Sequence, residues 1–247
     1  MKIKAVYDYL DFIAPFNTAA PWDNCGLSVG SLNNEVTKLV VALDVTEDVI
    51  NKAKEVGAEL VVTHHPLIFD PVKAVECDSI LYKAIQSGIT FISSHTCLDK
   101  AVGGVNYCLA RLAGIKNIKD CHSDEFLKIG EIEPCSADEY ALKLKEALGG
   151  MVTYTESEKL IKKVAFCSGS GGDLVGAAKI EGADALLTGE AKHHEYLEAK
   201  NLGVALFSAG HYETEEPVCD YLRRTLKVQF DDVEVINYSG DKPVKYI

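Results

Sequence analysis

The chain has 247 residues, of which 47% are hydrophobic and 25% are charged, and its formal net charge is −12. This composition supports one large or two modest hydrophobic cores and excludes a largely disordered chain. The negative charge repels polyanions, so long nucleic acid is not an expected partner. A small anionic substrate remains compatible with the charge, because bound divalent cations invert the local potential.

The sequence gives no sign of a membrane span or of a leader. No apolar run of about 18 or more residues occurs. The N-terminal ten residues contain acidic and aromatic interruptions where a leader would have its apolar core, and we therefore expect a cytoplasmic protein. The eight cysteines are scattered without a CxxC pair, which predicts reduced thiols that mostly pack in the core.

The first half of the chain predicts alternating helices and strands. Apolar spacing and capping residues predict three helices. The first spans 3–14, the second begins after the capping Thr46, and the third spans 79–87 and ends before Gly88. Apolar runs rich in β-branched residues predict strands at 38–43, 60–63 and 90–93. This alternation favours a mostly parallel sheet with helices on its faces.

The second half repeats this pattern after a weakly patterned segment from Asn117 to about Lys162, which contains one amphipathic helix at 136–148. Strands are predicted at 163–167, 184–187 and 204–208. We therefore predict an α/β protein of two related three-layer domains with mostly parallel sheets and a site in the cleft between them. The predicted domains are residues 1–125, completed by the chain ends, and residues 126–247.

Metal-ligand side chains follow several of the predicted strands. They are His64, His65, His95, Asp99, His211 and Glu215. The carboxyl ends of parallel strands are where α/β sheets place their sites. His95 and Asp99 are four residues apart, as are His211 and Glu215, so each pair lies on one face of a helix if a helix begins there. Each pair alone also has an ordinary explanation as a surface pair or a turn cap.

Imidazole and carboxylate ligands suit Zn, Fe(II), Mn or Ni, and the absence of thiolates from the set disfavours a closed structural zinc site. Six such groups exceed the needs of one ion. Two divalent metal ions roughly 3.5–4 Å apart would use them all.

Other polar residues have competing interpretations. Glu190 is placed where an acid/base group, or a hydrogen-bond partner of a metal ligand, would be useful. For His193 and His194 a supporting or structural role is favoured over direct metal binding. The glycine-rich segment 168–172 precedes a predicted helix and is equally compatible with a phosphate-binding loop and a plain tight turn.

For Trp22 a role as a packing anchor is favoured over a ligand contact. Asp23 and Asn24 are interpreted as turn formers. His122 is interpreted as a surface residue.

Together these segments resemble the family of GTP cyclohydrolase I type 2 homologues, also called the Nif-three-like family. The matching segments are 24–27 (NCGL), 63–66 (THHP), 95–99 (HTCLD), 103–106 (GGVN), 187–190 (LTGE) and 210–215 (GHYETE). They span nearly the whole chain in family order. Some members carry a domain inserted between the halves, for which the short middle segment here leaves no room.

The resemblance implies a dinuclear metal centre between two α/β domains, and a ring-shaped homohexamer. It implies that His65 and Asp99 bind one metal, that His64 and His211 bind the other, and that Glu215 bridges them. His95 would lie beside the metals.

The leading hypothesis is a metal-dependent hydrolase in which His95 or Glu190 moves protons, and the resemblance suggests GTP as substrate, with ring opening and release of formate. A nucleotide or phosphoester hydrolase is one alternative. A metal-binding hexameric scaffold, or a protein that stores or delivers metal, is the other, because ligands for storage and for catalysis look alike in a sequence.

Overall fold

The structure is a computed structural model that describes residues 1–240 and 242–245. Within these residues the chain divides into two compact units. The first comprises Met1–Gly104 and the described part of Val218–Pro243, and the second comprises Val105–Pro217 with the described residues at the C-terminal end. Among the described residues, no helix has the length and apolar character needed to cross a membrane.

Strands and helices alternate along much of the described chain. The strands are β1 (Gly26–Val29), β2 (Lys38–Ala42), β3 (Leu60–Thr63), β4 (Thr90–Ser93), β5 (Lys116–Asp120), β6 (Lys128–Cys135), β7 (Thr153–Tyr154), β8 (Ile161–Cys167), β9 (Ala185–Thr188), β10 (Ala205–Ser208) and β11 (Glu234–Asn237). The helices are α1 (Ile3–Ile13), α2 (Glu47–Val56), α3 (Ile80–Ser87), α4 (Thr96–Lys100), α5 (Val105–Leu112), α6 (Ala137–Leu148), α7 (Val175–Ile180), α8 (His193–Leu202), α9 (His211–Glu215) and α10 (Pro217–Gln229). The predicted mixed α/β class is confirmed.

The first unit contains a five-stranded sheet in the order β1-β4-β3-β2-β11. Its strands pair in parallel, except that β1 runs antiparallel to β4. Every residue of β3 and β4 is buried, which explains why these strands appear in the sequence as continuous apolar runs. The predicted helix ends are also confirmed: the Thr46 hydroxyl accepts a hydrogen bond from Val49 N, and Gly88 adopts a left-handed conformation.

The side chain of Glu59 links the starts of β2 and β3 and makes the stability of the first unit depend on pH. Its carboxylate accepts hydrogen bonds from Lys38 N at 3.0 Å and from the backbone and hydroxyl of Thr37. Burial raises the pKa of Glu59, but these hydrogen bonds outweigh burial and lower the pKa below its ordinary value of 4.5. Ionised Glu59 therefore stabilises the fold above that value, and the contribution is lost as the pH falls below it.

We expect Glu59→Gln to be less stable than the parent at pH 7, by under about 1 kcal/mol because solvent screens the site. The difference should shrink as the pH falls from about 5 to about 3, where the parent carboxyl is also neutral. Urea unfolding at several pH values measures this. Glu55→Gln is the control, since Glu55 pairs with Lys52 on the surface of α2. A gap that stays constant with pH would contradict the assignment.

The second unit contains a six-stranded sheet in the order β5-β6-β8-β9-β10-β7. Only the β8-β9 and β9-β10 pairs are parallel, and the other three pairs are antiparallel. The prediction of a mostly parallel sheet is therefore wrong for this unit. The antiparallel strands β5 and β7 lie at the sheet edges and are largely exposed, so their sequences lack the apolar run that indicates a buried strand.

The two units also begin and end at other residues than the predicted domains, which were residues 1–125 and 126–247. Helix α5 and strand β5 belong to the second unit, where Leu109, Ala113 and Ile115 pack in a core with Tyr140 and Phe166. At the other end of the chain, β11 returns to the first unit and pairs in parallel with β2. Pairing and packing between segments far apart in sequence set these bounds, and a local pattern does not report such partners.

Candidate metal centre

The carboxyl ends of three neighbouring strands bring polar residues together in the first unit. Thr63 of β3 lies in register with Ala42 of β2 and with Ser93 of β4. The pairing continues beyond the strands, because Ser94 N donates to Thr63 O at 2.9 Å. The residues that follow these three ends therefore lie at one edge of the sheet.

Three histidine side chains cluster at this edge. The ring centroids are 4.8 Å apart for His64 and His65, 5.0 Å for His64 and His95, and 5.3 Å for His65 and His95. One ring nitrogen from each histidine lies within 4.8 Å of the other two. His64 is 0% exposed. Three imidazoles this close form a donor set for a transition metal ion.

Each of these rings is held through its Nδ1 atom by an oxygen acceptor. Nδ1 of His64 donates to Ser94 O at 3.0 Å, that of His65 lies 2.7 Å from Asp44 Oδ1, and that of His95 lies 2.9 Å from Asp23 Oδ1. A carbonyl or carboxylate oxygen can only accept, so the proton of each neutral ring is on Nδ1 and the lone pair is on Nε2. This oxygen–imidazole arrangement is typical of metal-binding histidines.

Asp99 adds a carboxylate to this group. It lies on α4, which begins directly after His95, and Asp99 N donates to His95 O at 3.2 Å. Asp99 Oδ1 lies 3.6 Å from Nε2 of His64. The spacing of four residues between His95 and Asp99 thus corresponds to one turn of helix, and the predicted residues of the first unit lie close together.

Asp23 is a site residue, although its sequence context predicts only a turn. Besides holding His95, its carboxylate accepts hydrogen bonds from the backbone and the hydroxyl of Thr96. Burial raises the pKa of Asp23, but the hydrogen bonds from His95 and Thr96 outweigh it and hold the pKa well below the ordinary value. Asp23 is therefore an ionised group beneath His95. No local pattern signals this contact, because 72 residues separate the two side chains.

Two thiols lie beside Asp23. Cys25 Sγ is 3.4 Å from Cys97 Sγ and donates to Asp23 Oδ2 at 3.2 Å. The hydrogen bond with Cys97 and burial both raise the pKa of Cys25, so this thiol stays protonated. It is therefore a neutral hydrogen-bond donor that supports the Asp23 carboxylate.

The second unit carries its own pair of ligand-type residues after β10. His211 is the first residue of α9, and its Nε2 lies 3.0 Å from Glu215 Oε2, one turn later. Glu215 is 4% exposed. On the other side of the ring, Nδ1 of His211 lies 3.3 Å from Oε2 of Glu190, which follows β9 by two residues. The Glu190 carboxylate therefore lies beside the imidazole of His211, although its side chain is 58% exposed.

Two glycines allow this close packing in the second unit. Gly169 has φ +62°, and a Cβ added there would overlap Glu215 Oε1 and lie 3.3 Å from His211 Nε2. A Cβ on Gly189 would lie 2.6 Å from Gly169 O and 2.8 Å from His211 Cα. Only glycine admits the backbone of these loops so near to the His211–Glu215 pair.

The glycine-rich loop 168–172 is a turn whose amides are hydrogen-bonded to side chains of other segments. The amides of Ser168, Gly169 and Gly171 donate to Asn106 Oδ1, Thr214 Oγ1 and Thr188 Oγ1. These three amides are thus already used within the protein, and the following helix α7 has only six residues. The structure therefore supports a tight turn and gives no support to a phosphate-binding loop.

The remaining histidines lie away from these groups. His193 and His194 are exposed at the start of α8, where His194 Nε2 is 3.9 Å from Glu195 Oε1. His122 is exposed, as predicted, and its backbone amide donates to Glu181. None of the three joins a cluster of ligand-type groups among the described residues.

Fold and site together define a mixed α/β protein whose parallel strands end in groups of imidazoles and carboxylates suited to a metal ion. The family model described as Duf34/NIF3 (NGG1p interacting factor 3) matches residues 1–243. The chain belongs to this family, which confirms the resemblance found from the sequence.

Relatives and solved structures agree with this membership. A protein of Clostridium perfringens named "GTP cyclohydrolase 1 type 2 homolog" is 32% identical and is matched over 100% of both chains. A Helicobacter pylori protein named "GTP cyclohydrolase 1 type 2" is 33% identical over 86% of each chain. The crystal structure of a Staphylococcus aureus hypothetical protein superposes with a TM-score of 0.93 at 30% identity, covering 100% of this chain and 99% of that one.

Proposed function

We propose that this protein is a dinuclear metal-dependent hydrolase. The observation that carries the proposal is the group of His64, His65 and His95, whose Nδ1 atoms are all held by oxygen acceptors. The proposal assigns His65 and Asp99 to one ion, His64 and His211 to the other, and Glu215 to both. Zn, Fe, Mn and Ni all suit this nitrogen and oxygen donor set.

The donor set fits divalent ions on chemical grounds. Its imidazoles present Nε2 lone pairs, and its carboxylates offset the positive charge of the ions. When bound, such ions polarise a substrate oxygen and lower the pKa of water. His211 is oriented for this role by Glu190, which lies at its Nδ1, so Glu190 acts by positioning a ligand or as the acid/base group predicted from the sequence.

His95 is the residue that we assign to proton transfer. Its Nδ1 is fixed by the ionised Asp23, which leaves Nε2 to accept a proton from a reacting group and to return it later. The carboxylate of Asp23 stabilises the imidazolium that forms in between. The backbone amide of His95 donates to Cys25 Sγ at 3.3 Å, which further fixes the residue in place.

The proposed substrate is GTP, with hydrolytic opening of the guanine imidazole ring and release of formate. The names of the Clostridium and Helicobacter relatives support this choice. A phosphoester hydrolase receives less support, because the loop at 168–172 uses three of its amides internally. The proposal includes the ring-shaped homohexamer implied by the family resemblance.

The test is a turnover assay with GTP on metal-loaded protein, measuring formate and phosphate separately. We expect formate release, and a loss of about 100-fold or more in kcat for His95→Gln with its metal content retained, since general acid–base catalysis contributes about 10²–10⁴-fold. Phosphate without formate would replace the ring-opening assignment with phosphoester hydrolysis. Metal binding without any turnover would favour the scaffold or storage role.

The matched control for His95→Gln is His194→Gln, which removes an exposed imidazole from α8. If the two variants retain the same turnover as the parent, the assignment of His95 fails. Metal content by elemental analysis accompanies each assay, so that a loss of metal is not mistaken for a loss of catalysis.

A further inference from the structure

Two exposed aromatic side chains flank His95 in the first unit. Trp22 is 62% exposed, and its ring centroid lies 6.0 Å from that of His95. Phe69 is 47% exposed, and its centroid lies 5.4 Å from that of His95. Both rings meet the imidazole edge to face, at interplanar angles of 68° and 80°. The expectation that Trp22 is a packing anchor is therefore wrong, because most of its side chain is exposed.

The two loops that carry these rings are joined and anchored. Asn24 Nδ2 donates to Ile68 O at 2.7 Å, which links the loop two residues after Trp22 to the residue directly before Phe69. Asp23, the residue directly after Trp22, accepts hydrogen bonds from His95 and from Thr96. The backbone beneath each ring is thus fixed while the rings themselves stay in water, which is the arrangement of a preformed binding surface.

An exposed aromatic pair beside a polar site offers a specific kind of contact. A tryptophan face binds a flat ring by stacking, and it does so best when the partner is a planar heteroaromatic group. Ligand sites typically combine such apolar walls with a few polar groups that fix orientation, and here His95, which the buried Asp23 holds in place, is such a group. The walls lie next to the residue to which we assign proton transfer.

We propose that Trp22 and Phe69 form an aromatic subsite that holds the planar heteroaromatic ring of the substrate beside His95. The inference rests on the proposed function and narrows its substrate to molecules that contain such a ring. It also predicts that the ring, and not a phosphate group, is the part of the substrate recognised by the first unit.

Trp22 is the only tryptophan of the chain, so intrinsic tryptophan fluorescence reports this subsite directly. The probes are guanosine 5′-monophosphate and ribose 5-phosphate, which share sugar and phosphate and differ in the base. We expect saturable quenching by the first and none by the second, because only the first can stack. Equal responses to both probes would overturn the proposal.

Variants sharpen the test. Phe69→Leu keeps the fluorescent reporter and should weaken binding of the nucleotide about tenfold, within the range that one aromatic stacking contact contributes. Phe12→Leu is the matched control, since Phe12 is 79% exposed on α1 and stacks on Tyr9. Trp22→Leu, measured by calorimetry, should show a similar loss. If Phe69→Leu binds the nucleotide as tightly as Phe12→Leu does, the subsite is refuted.

Two further measurements separate the possible failures. Elemental analysis of each preparation tests the proposed function independently: quenching without bound metal would support the subsite and refute the dinuclear hydrolase. Light scattering after size exclusion tests whether Trp22 and Phe69 instead join copies of this chain. A change of mass in Trp22→Leu with unchanged nucleotide affinity would overturn the proposal.

Discussion

His64→Ala is expected to lose divalent metal, with an affinity that falls well beyond the ~10–100-fold cost of losing an outer partner of a ligand. The side chain is 0% exposed, and its Nδ1 is fixed on Ser94 O, so its Nε2 is a pre-oriented donor that alanine does not supply. Elemental analysis after dialysis measures the retained metal. The parent should retain about two ions per chain, as two-metal sites do.

The stability of the protein should change in parallel. A ligand that binds only the folded state raises the unfolding temperature, so the parent should lose stability on addition of a chelator. His64→Ala should show a much smaller chelator effect, because less metal is bound at the outset. The control is His122→Ala, in which the backbone bond to Glu181 remains. Equal metal content in the parent and in His64→Ala would remove the basis of the proposed function.

Asp44→Asn extends this series to a residue that only orients a ligand. Its carboxylate lies 2.7 Å from Nδ1 of His65, and an amide in its place accepts the same hydrogen bond less strongly. Metal affinity should therefore fall by about 10–100-fold, less than for His64→Ala. Asp48→Asn, on the exposed first turn of α2, is the control. An effect of Asp44→Asn as small as that of the control would contradict the assignment.

Gly169→Ala is expected to have the second large effect, because it combines backbone strain with a steric overlap. At φ +62° an alanine costs about 1–2 kcal/mol. Its Cβ would also overlap Glu215 Oε1, and the carboxylate is too buried to move away freely. With an overpacking cost of about 1–3 kcal/mol, the total loss of unfolding free energy should be about 2–5 kcal/mol.

Gly203→Ala separates the two contributions. Gly203 has φ +66°, and no atom of the described residues lies within 4 Å of an added Cβ, so this variant carries the strain alone. Urea unfolding of both variants gives the difference due to overlap, and metal content should fall for Gly169→Ala only. If the two variants lose the same stability and the same amount of metal, Glu215 is not constrained by Gly169 and the geometry assigned to this loop is wrong.

The sequence by itself determined the buried strands of the first unit and their polar ends. Residues 60–63 and 90–93 are short apolar runs, and they form β3 and β4 as predicted. Strands β3 and β4 pair in parallel, as the alternating pattern predicts, and their carboxyl ends therefore lie at the same edge of the sheet. This places His64, His65 and His95 close together. Helix ends could also be predicted from the sequence, because a cap such as Thr46 bonds to amides within one turn.

Only the tertiary structure decided which distant segments support the site. Asp23 and Asp44 hold His95 and His65 through hydrogen bonds across 72 and 21 residues, and Trp22 is left exposed beside them. The antiparallel strand pairs of the second unit were likewise unpredictable. The physical reason is the distance along the chain over which each interaction acts. Apolar periodicity and capping depend on neighbours within a few residues. The contact of a carboxylate with an imidazole, or the pairing of two strands, depends instead on the folded positions of segments that share no local pattern.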